Sequence, residues 1–349
     1  MGEGLTAADA PFADGVYDIE LDELEQTAVA TATGHRYDVY VEPERCIDRS
    51  RDAGALLPEP LRSMLEKMRH GDGPPVVRIR GLPIPPTLQP TPIWPFASTE
   101  RTMVGTEPML LTLALLIGEP FTYAQWDGGD LIHNKYPIAA HRDVQYGSNA
   151  VEFLVHTETP FRRPSPSFLL LLCLRADPSG AAATRLCPII RLLDELAPDL
   201  VEELRRPAYA FLTDNHQMII RGNRITAPEP IISLDSTGRT RVEYVADMVA
   251  IDERAEAALQ ALHEWVTRRT IDVFLDVGDL LVIDNRRAAH GRSAVSPRYD
   301  GNDRWLQRVL LLDSDTAETG PGRRQVNDPK YLNYPTDYQM VLDGRSGRD

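Results

Sequence analysis

The stretch "VEFLVHTETPF", residues 151–161, decides how this chain is read. Val151, Phe153 and Val155 alternate with Glu152, Leu154 and His156, the period of a half-buried β-strand. A period of two puts His156 and Glu158 on one face. An isolated His-x-Glu triplet is ordinarily a polar strand edge, because such short patterns arise by accident. It becomes a site only if the rest of the chain supplies partners.

Outward from this stretch the sequence stays rich in β-formers. "FTYAQW", "SFLLLLCLR", "RVEYV", "DVFLDV", "DLLVID" and "WLQRVLLLD" all read as short strands. Helices are expected near 191–206 and about 252–269, the second with Ala255, Leu259, Leu262 and Val266 on one face. Residues 58–70 place Leu61, Met64, Leu65 and Met68 on a helical face, stopped by Gly71. Many short strands with irregular connections imply a mainly β fold with covering helices, a sandwich or barrel rather than alternating βαβ units. The expected organisation is a flexible tail over 1–15 and a single domain over 16–349. Helices would cover it over 16–120, and the β core would span about 76–313. Neither a GxGxxG nor a P-loop occurs, so a nucleotide cofactor has no support.

The formal charge of −15 argues against nucleic acid and anionic membrane as partners. Cys46, Cys173 and Cys187 lack zinc-type spacing and form no disulfide framework, which fits a reducing, cytoplasmic setting. The longest apolar run, "MLLTLALLIG" at 109–118, is short for a membrane span. The first residues have neither a basic start nor an apolar core, so no signal peptide is expected.

A second histidine, His290, lies in "GDLLVIDNRRAAHGRSAV", after a strand over Leu280 to Asp284. Gly291 follows it and permits close backbone approach. Two histidines and one carboxylate compose the facial triad that holds non-haem Fe(II) with open positions left over. In "DRWLQRVLLLD", residues 303–313, Arg304, Leu306, Arg308 and Leu310 share one strand face. Two arginines therefore sit in a segment otherwise built for burial. A buried guanidinium requires an anionic partner, and Arg is the residue best shaped for a carboxylate.

These three segments resemble the clavaminate synthase-like branch of the Fe(II)/2-oxoglutarate dioxygenases, which includes the amino-acid β-hydroxylases. That branch uses Glu as its carboxylate ligand and carries an arginine fourteen residues after the distal histidine, the spacing of Arg304 from His290. It also places a threonine about twenty-six residues after the Glu, where Thr184 stands. The resemblance covers roughly residues 76–313 and implies a double-stranded β-helix, a cupin-type jelly roll. It implies that His156, Glu158 and His290 hold Fe(II), that Arg304 and Thr184 bind 2-oxoglutarate, and that O2 is the oxidant. The expected activity is hydroxylation of an unactivated carbon of a free amino acid or a derivative, in specialised-metabolite (antibiotic) biosynthesis. Desaturation and oxidative ring closure are alternatives within the same iron chemistry. A non-catalytic metal- or ligand-binding sensor is the competing class. Because Glu158 is present, halogenase chemistry is not expected.

Substrate contacts follow from the same resemblance. Arg308 stands where relatives meet the substrate carboxylate, and Gln125 where they contact the amino-acid head. Ser148 lies in a lid-like stretch ahead of the HTE strand. The chain also departs from the pattern: Trp126 replaces the Glu that commonly follows the Gln, and "TRVEYVADM" offers Glu243 where arginine hydroxylases carry paired aspartates. Trp126 and Tyr244 are therefore expected to shape a bulkier pocket. His133 and His141 read as surface or lid residues, and His263 as lying off its helix's apolar face.

Overall fold

The computed structural model describes residues 15–94, 102–124, 126–139, 151–160, 164–211, 228–313 and 324–326. Its first part contains β1 (Tyr17–Glu20), α1 (Glu23–Thr33), α2 (Pro43–Gly54), α3 (Glu59–His70), β2 (Val76–Arg80) and α4 (Glu107–Leu115). Next come β3 (Glu119–Tyr123), β4 (Ile132–Lys135), β5 (Phe153–His156), β6 (Phe168–Arg175), β7 (Ala183–Cys187), α5 (Leu192–Glu195), α6 (Pro198–Leu204) and β8 (Tyr209–Phe211). The remainder is β9 (Ile232–Leu234), β10 (Thr240–Val242), β11 (Met248–Ala250), α7 (Glu253–Arg269), β12 (Ile271–Phe274), β13 (Leu280–Asp284), β14 (Ala289–Arg292), β15 (Trp305–Leu312) and β16 (Gln325–Val326). The tail expected over 1–15 lies outside the described residues, apart from Gly15.

Strands β6 and β15 explain the layering. The first is buried from Phe168 to Leu174, the second along its whole length, and neither alternates polar with apolar. Such runs need cover on both faces. On one face, Leu170, Leu172, Val309 and Leu311 join the helical core with Leu61, Leu65 and Leu110. On the other, Leu169, Leu171, Leu306 and Leu310 meet Leu186 and Val273 from a second sheet. The larger sheet runs β1-β2-β13-β6-β15-β3-β16, with β4 also on β15; the smaller runs β12-β7-β14-β5 and is antiparallel throughout. Two facing sheets with helices packed on the larger one make the jelly roll.

Alternation along β15 thus decides which side chains reach the space between the sheets. Trp305, Val309 and Leu311 point to the helices, whereas Leu306 and Leu310 point inward. Arg308, between the latter two in sequence, also points inward. Gln307 points to the helices, where it bonds Thr106 and Glu107.

Several boundaries differ from the sequence reading. The HTE strand stops at His156, so Glu158 stands in a bend beyond it. The helix expected near 191–206 is two short ones, because Pro198 holds Ala197 extended at ψ 139°. The strand read in "RVEYV" covers only Thr240–Val242. Helix α7 is as expected, with Ala255, Leu259, Leu262 and Val266 all buried.

Gly291 is the tightest point between β14 and β5. A Cβ there would lie 2.6 Å from the Phe153 carbonyl oxygen and 3.0 Å from the Val155 nitrogen. Both are backbone atoms of a paired strand, so they yield only by spreading the sheet. Gly291→Ala should therefore cost about 1–3 kcal/mol in denaturant unfolding.

Candidate metal and co-substrate site

Strands β14 and β5 pair with His290 opposite His156. Opposed residues project to the same face, and the two imidazole centroids lie 4.6 Å apart. Both rings face the space between the sheets. The neighbours Val155 and Ala289 face away, into a second apolar core with Tyr244, Leu259 and Leu262. Glu158 completes the group. One ligand atom from each of His156, Glu158 and His290 lies within 4.8 Å of the others, close enough to share one ion.

The donor set fits a divalent metal. His156 Nδ1 lies 2.8 Å from the Leu154 carbonyl oxygen, so it carries the proton and leaves Nε2 as a free acceptor. His290 Nδ1 is buried without a hydrogen-bond partner among the described residues, and its Nε2 lies 3.6 Å from Glu158 Oε2. Burial would raise the Glu158 pKa. Arg308 and the two histidines outweigh that and hold the carboxyl well below the usual range. Burial and the neighbouring His290 push His156 down to about 4. Two imidazoles and one carboxylate are the ligand types that suit non-haem iron.

Glu158 is fixed by its backbone. Its N–H donates to Asn285 Oδ1 at 2.6 Å, and the Asn285 amide donates to the carbonyls of Glu158 (3.1 Å) and Pro166 (2.9 Å). Thr157, between the histidine and the glutamate, donates its N–H to the Tyr244 carbonyl at 2.8 Å. Thr159 then turns the chain with a left-handed φ of 48°. Asn285 lies in the turn between β13 and His290, so one amide ties the two ligand-bearing segments together.

Arg304 stands just before β15, 9% exposed. Its Nη2 donates to Thr184 Oγ1 at 2.7 Å. Among the described residues no carboxylate pairs with it, and burial lowers its pKa. A buried guanidinium left in this state calls for an anion from outside the chain.

Arg308 is different. Its Nη1 donates to Glu158 Oε2 at 2.9 Å, and its Nη2 to His133 Nδ1 at 2.9 Å. The Trp126 ring lies 5.6 Å from its guanidinium carbon. His133, read from the sequence as a surface or lid residue, is fully buried on β4 and touches this group. The apolar pair Leu131–Ile132 just before it was the available signal, masked by the loop-like "DGGD" ahead of that pair. Asn285 was equally legible only as part of "VIDNRR".

Other expected contacts fare variously. Glu243 is buried and paired with Arg241 at 2.9 Å, so its carboxylate already faces a cation. Tyr244 does not shape the site. Its ring belongs to the second core, and its hydroxyl bonds His263 Nδ1 at 2.8 Å. Trp126 lies beside Arg308, as described. Gln125, Ser148 and His141 lie outside the described residues. Asn285→Asp would set an acceptor against the Glu158 and Pro166 carbonyls. It should destabilise folding by about 1–3 kcal/mol in chemical denaturation, and calorimetric Co(II) affinity should fall with it.

Known proteins resemble this chain in sequence and in fold. The chain is 30% identical to the L-asparagine oxygenase of Streptomyces coelicolor over 88% of its own length and 92% of that protein's. It is 29% identical to clavaminate synthase 2 of Streptomyces clavuligerus over 80% and 86% of the two chains. The crystal structure of the non-heme iron oxygenase OrfP in complex with Fe and alpha-ketoglutaric acid superposes with a TM-score of 0.77. That match has 28% identity and covers 89% of this chain and 100% of that one. The chain is accordingly an Fe(II)- and 2-oxoglutarate-dependent oxygenase. The family model for "Taurine catabolism dioxygenase TauD, TfdA family" matches residues 56–310, and the chain belongs to that family.

Proposed function

We propose that this chain hydroxylates an unactivated carbon of a free amino acid, or of a metabolite made from one, in specialised-metabolite biosynthesis. The observation that carries the reading is the pairing of a His156–Glu158–His290 cluster with a buried Arg304 that has no carboxylate among the described residues. In this reading the three clustered residues hold Fe(II), and Arg304 with Thr184 takes the far carboxylate of 2-oxoglutarate. Glu158, the metal, the co-substrate and Arg304 then sum to no net charge, and Arg308 beside Glu158 leaves one positive charge for a substrate carboxylate. With O2, the bound pair supplies the oxidation that turns a C–H into a C–OH, releasing succinate and carbon dioxide.

The chain's own share is position and dryness. His156 and His290 fix the metal on the small sheet, while Arg304 fixes the co-substrate from the large one. The apolar side chains Leu171, Leu186, Leu306 and Leu310 between the sheets exclude water. Arg308, beside Glu158, is placed to meet the amino acid's carboxylate, with Trp126 as a wall. Gln125 and Ser148 are assigned to the amino-acid head. Glu243 borders the substrate as half of an ion pair with Arg241, which disfavours a cationic side chain. Residues 16–349 act as one domain in this account, and three buried, free cysteines fit a reducing cytoplasm. Among the described residues no helix is long and apolar enough to cross a membrane.

Incubation with Fe(II), 2-oxoglutarate, air and pooled amino acids, read by mass spectrometry, should show one amino acid gaining one oxygen atom. Glu158→Ala should abolish that product. Arg304→Ala should raise the KM for 2-oxoglutarate by about 10- to 100-fold, the loss of a charged hydrogen-bonded contact, and leave the KM for the amino acid nearly unchanged. Arg304→Ala with an unaltered 2-oxoglutarate KM would remove that residue from the account.

A further inference from the structure

The relay behind Arg308 carries an assignment of its own. Arginine has only donors, so the 2.9 Å contact of its Nη2 makes His133 Nδ1 an acceptor. The proton must then sit on His133 Nε2, which is 3.0 Å from Thr122 Oγ1. Burial and Arg308 push the imidazole down to about 3, against the pull of Asp127, whose carboxylate lies 3.5 Å away and is held by Lys135 at 2.7 Å. At neutral pH His133 is therefore a fixed, uncharged acceptor. It is fully buried on β4, whose register sets His133 opposite Arg308. One end of the guanidinium is thus held by His133 and the other by Glu158. Its third nitrogen, Nε, is buried and has no partner among the described residues. An unsatisfied buried N–H of a charged group is costly, and a carboxylate oxygen would relieve it.

We propose that His133 is a positioning residue: by accepting from Nη2 it sets Arg308 so that Nη1 orients Glu158 and Nε receives the carboxylate of the amino-acid substrate. The substrate half of this assignment rests on the amino-acid reading above; the Glu158 half does not. Without His133 as acceptor, the guanidinium could rotate about its long side chain and leave both tasks. A second contact to a ligand carboxylate of this kind typically governs metal affinity as well as activity.

Two polar substitutions separate the roles of the ring nitrogens. His133→Asn keeps an oxygen near the Nδ1 position and can still accept from Arg308. His133→Gln keeps an amide near the Nε2 position, towards Thr122, and loses the Arg308 contact. For His133→Gln the KM for the amino acid should rise about tenfold, with the KM for 2-oxoglutarate within about twofold of the parent. Calorimetric Co(II) affinity should fall about tenfold as well. His133→Asn should stay within about threefold of the parent in all of these. Equal behaviour of the two variants, or equal rises in both KM values, would overturn the assignment. If the unsubstituted enzyme oxidised no amino acid, the proposed substrate class would fail. The Co(II) titration would still decide: a loss confined to His133→Gln supports the relay, and unchanged affinity in both variants overturns it.

Discussion

One register holds the site together: β14 lies against β5 with His290 opposite His156. The two histidines are far apart in sequence, and neither can chelate an ion alone. The pairing is possible because Gly291 lets the strands approach, with the Phe153 carbonyl where a side chain would begin. Side-chain direction in a strand reverses at every residue, so a slip of one residue would turn a histidine out of the site. The apolar neighbours Val155 and Ala289 oppose such a slip, because each is anchored in the core on the sheet's other side. The placement of the two histidines here is a consequence of hydrophobic packing.

The second constraint is electrostatic. Two arginines rise from β15 or its edge toward the same space, and they meet different fates. Arg308 spends its charge on Glu158, which also lowers that carboxyl's pKa and keeps it ionised. Among the described residues, Arg304 finds only the Thr184 hydroxyl. One arginine is thus matched by a carboxylate within the structure, and the other, among the described residues, is not. A fold that buries an unmatched guanidinium is less stable than one that pairs it. The mismatch is the form expected of a binding site rather than of a structural salt bridge.

Much of this was legible in the chain of residues. The inward face of "DRWLQRVLLLD" followed from strict alternation, and the helical face of Ala255, Leu259, Leu262 and Val266 from its spacing. The cluster of His156, Glu158 and His290 required more, because alternation alone does not bring residue 290 to residue 156; resemblance supplied that. The strand boundary at His156 was missed because a period of two continues smoothly through Glu158. What ends the strand is Asn285 and Tyr244 capturing the backbone of 157 and 158 from distant segments. His133 was missed for a related reason. Its burial comes from pairing with β15, and local sequence shows only a histidine after a glycine-rich turn. Tyr244 was misjudged because its neighbour Glu243 faces the other way, and register there depends on β9 and on Thr157.

The most direct test of the central claim is absorbance titration of the purified protein with Fe(II) and 2-oxoglutarate in the absence of oxygen. A visible charge-transfer band that requires both additions, and that decays to leave succinate when air enters, is the result this account predicts. No band with both in excess would mean that His156, Glu158, His290 and Arg304 do not hold the metal and its co-substrate together.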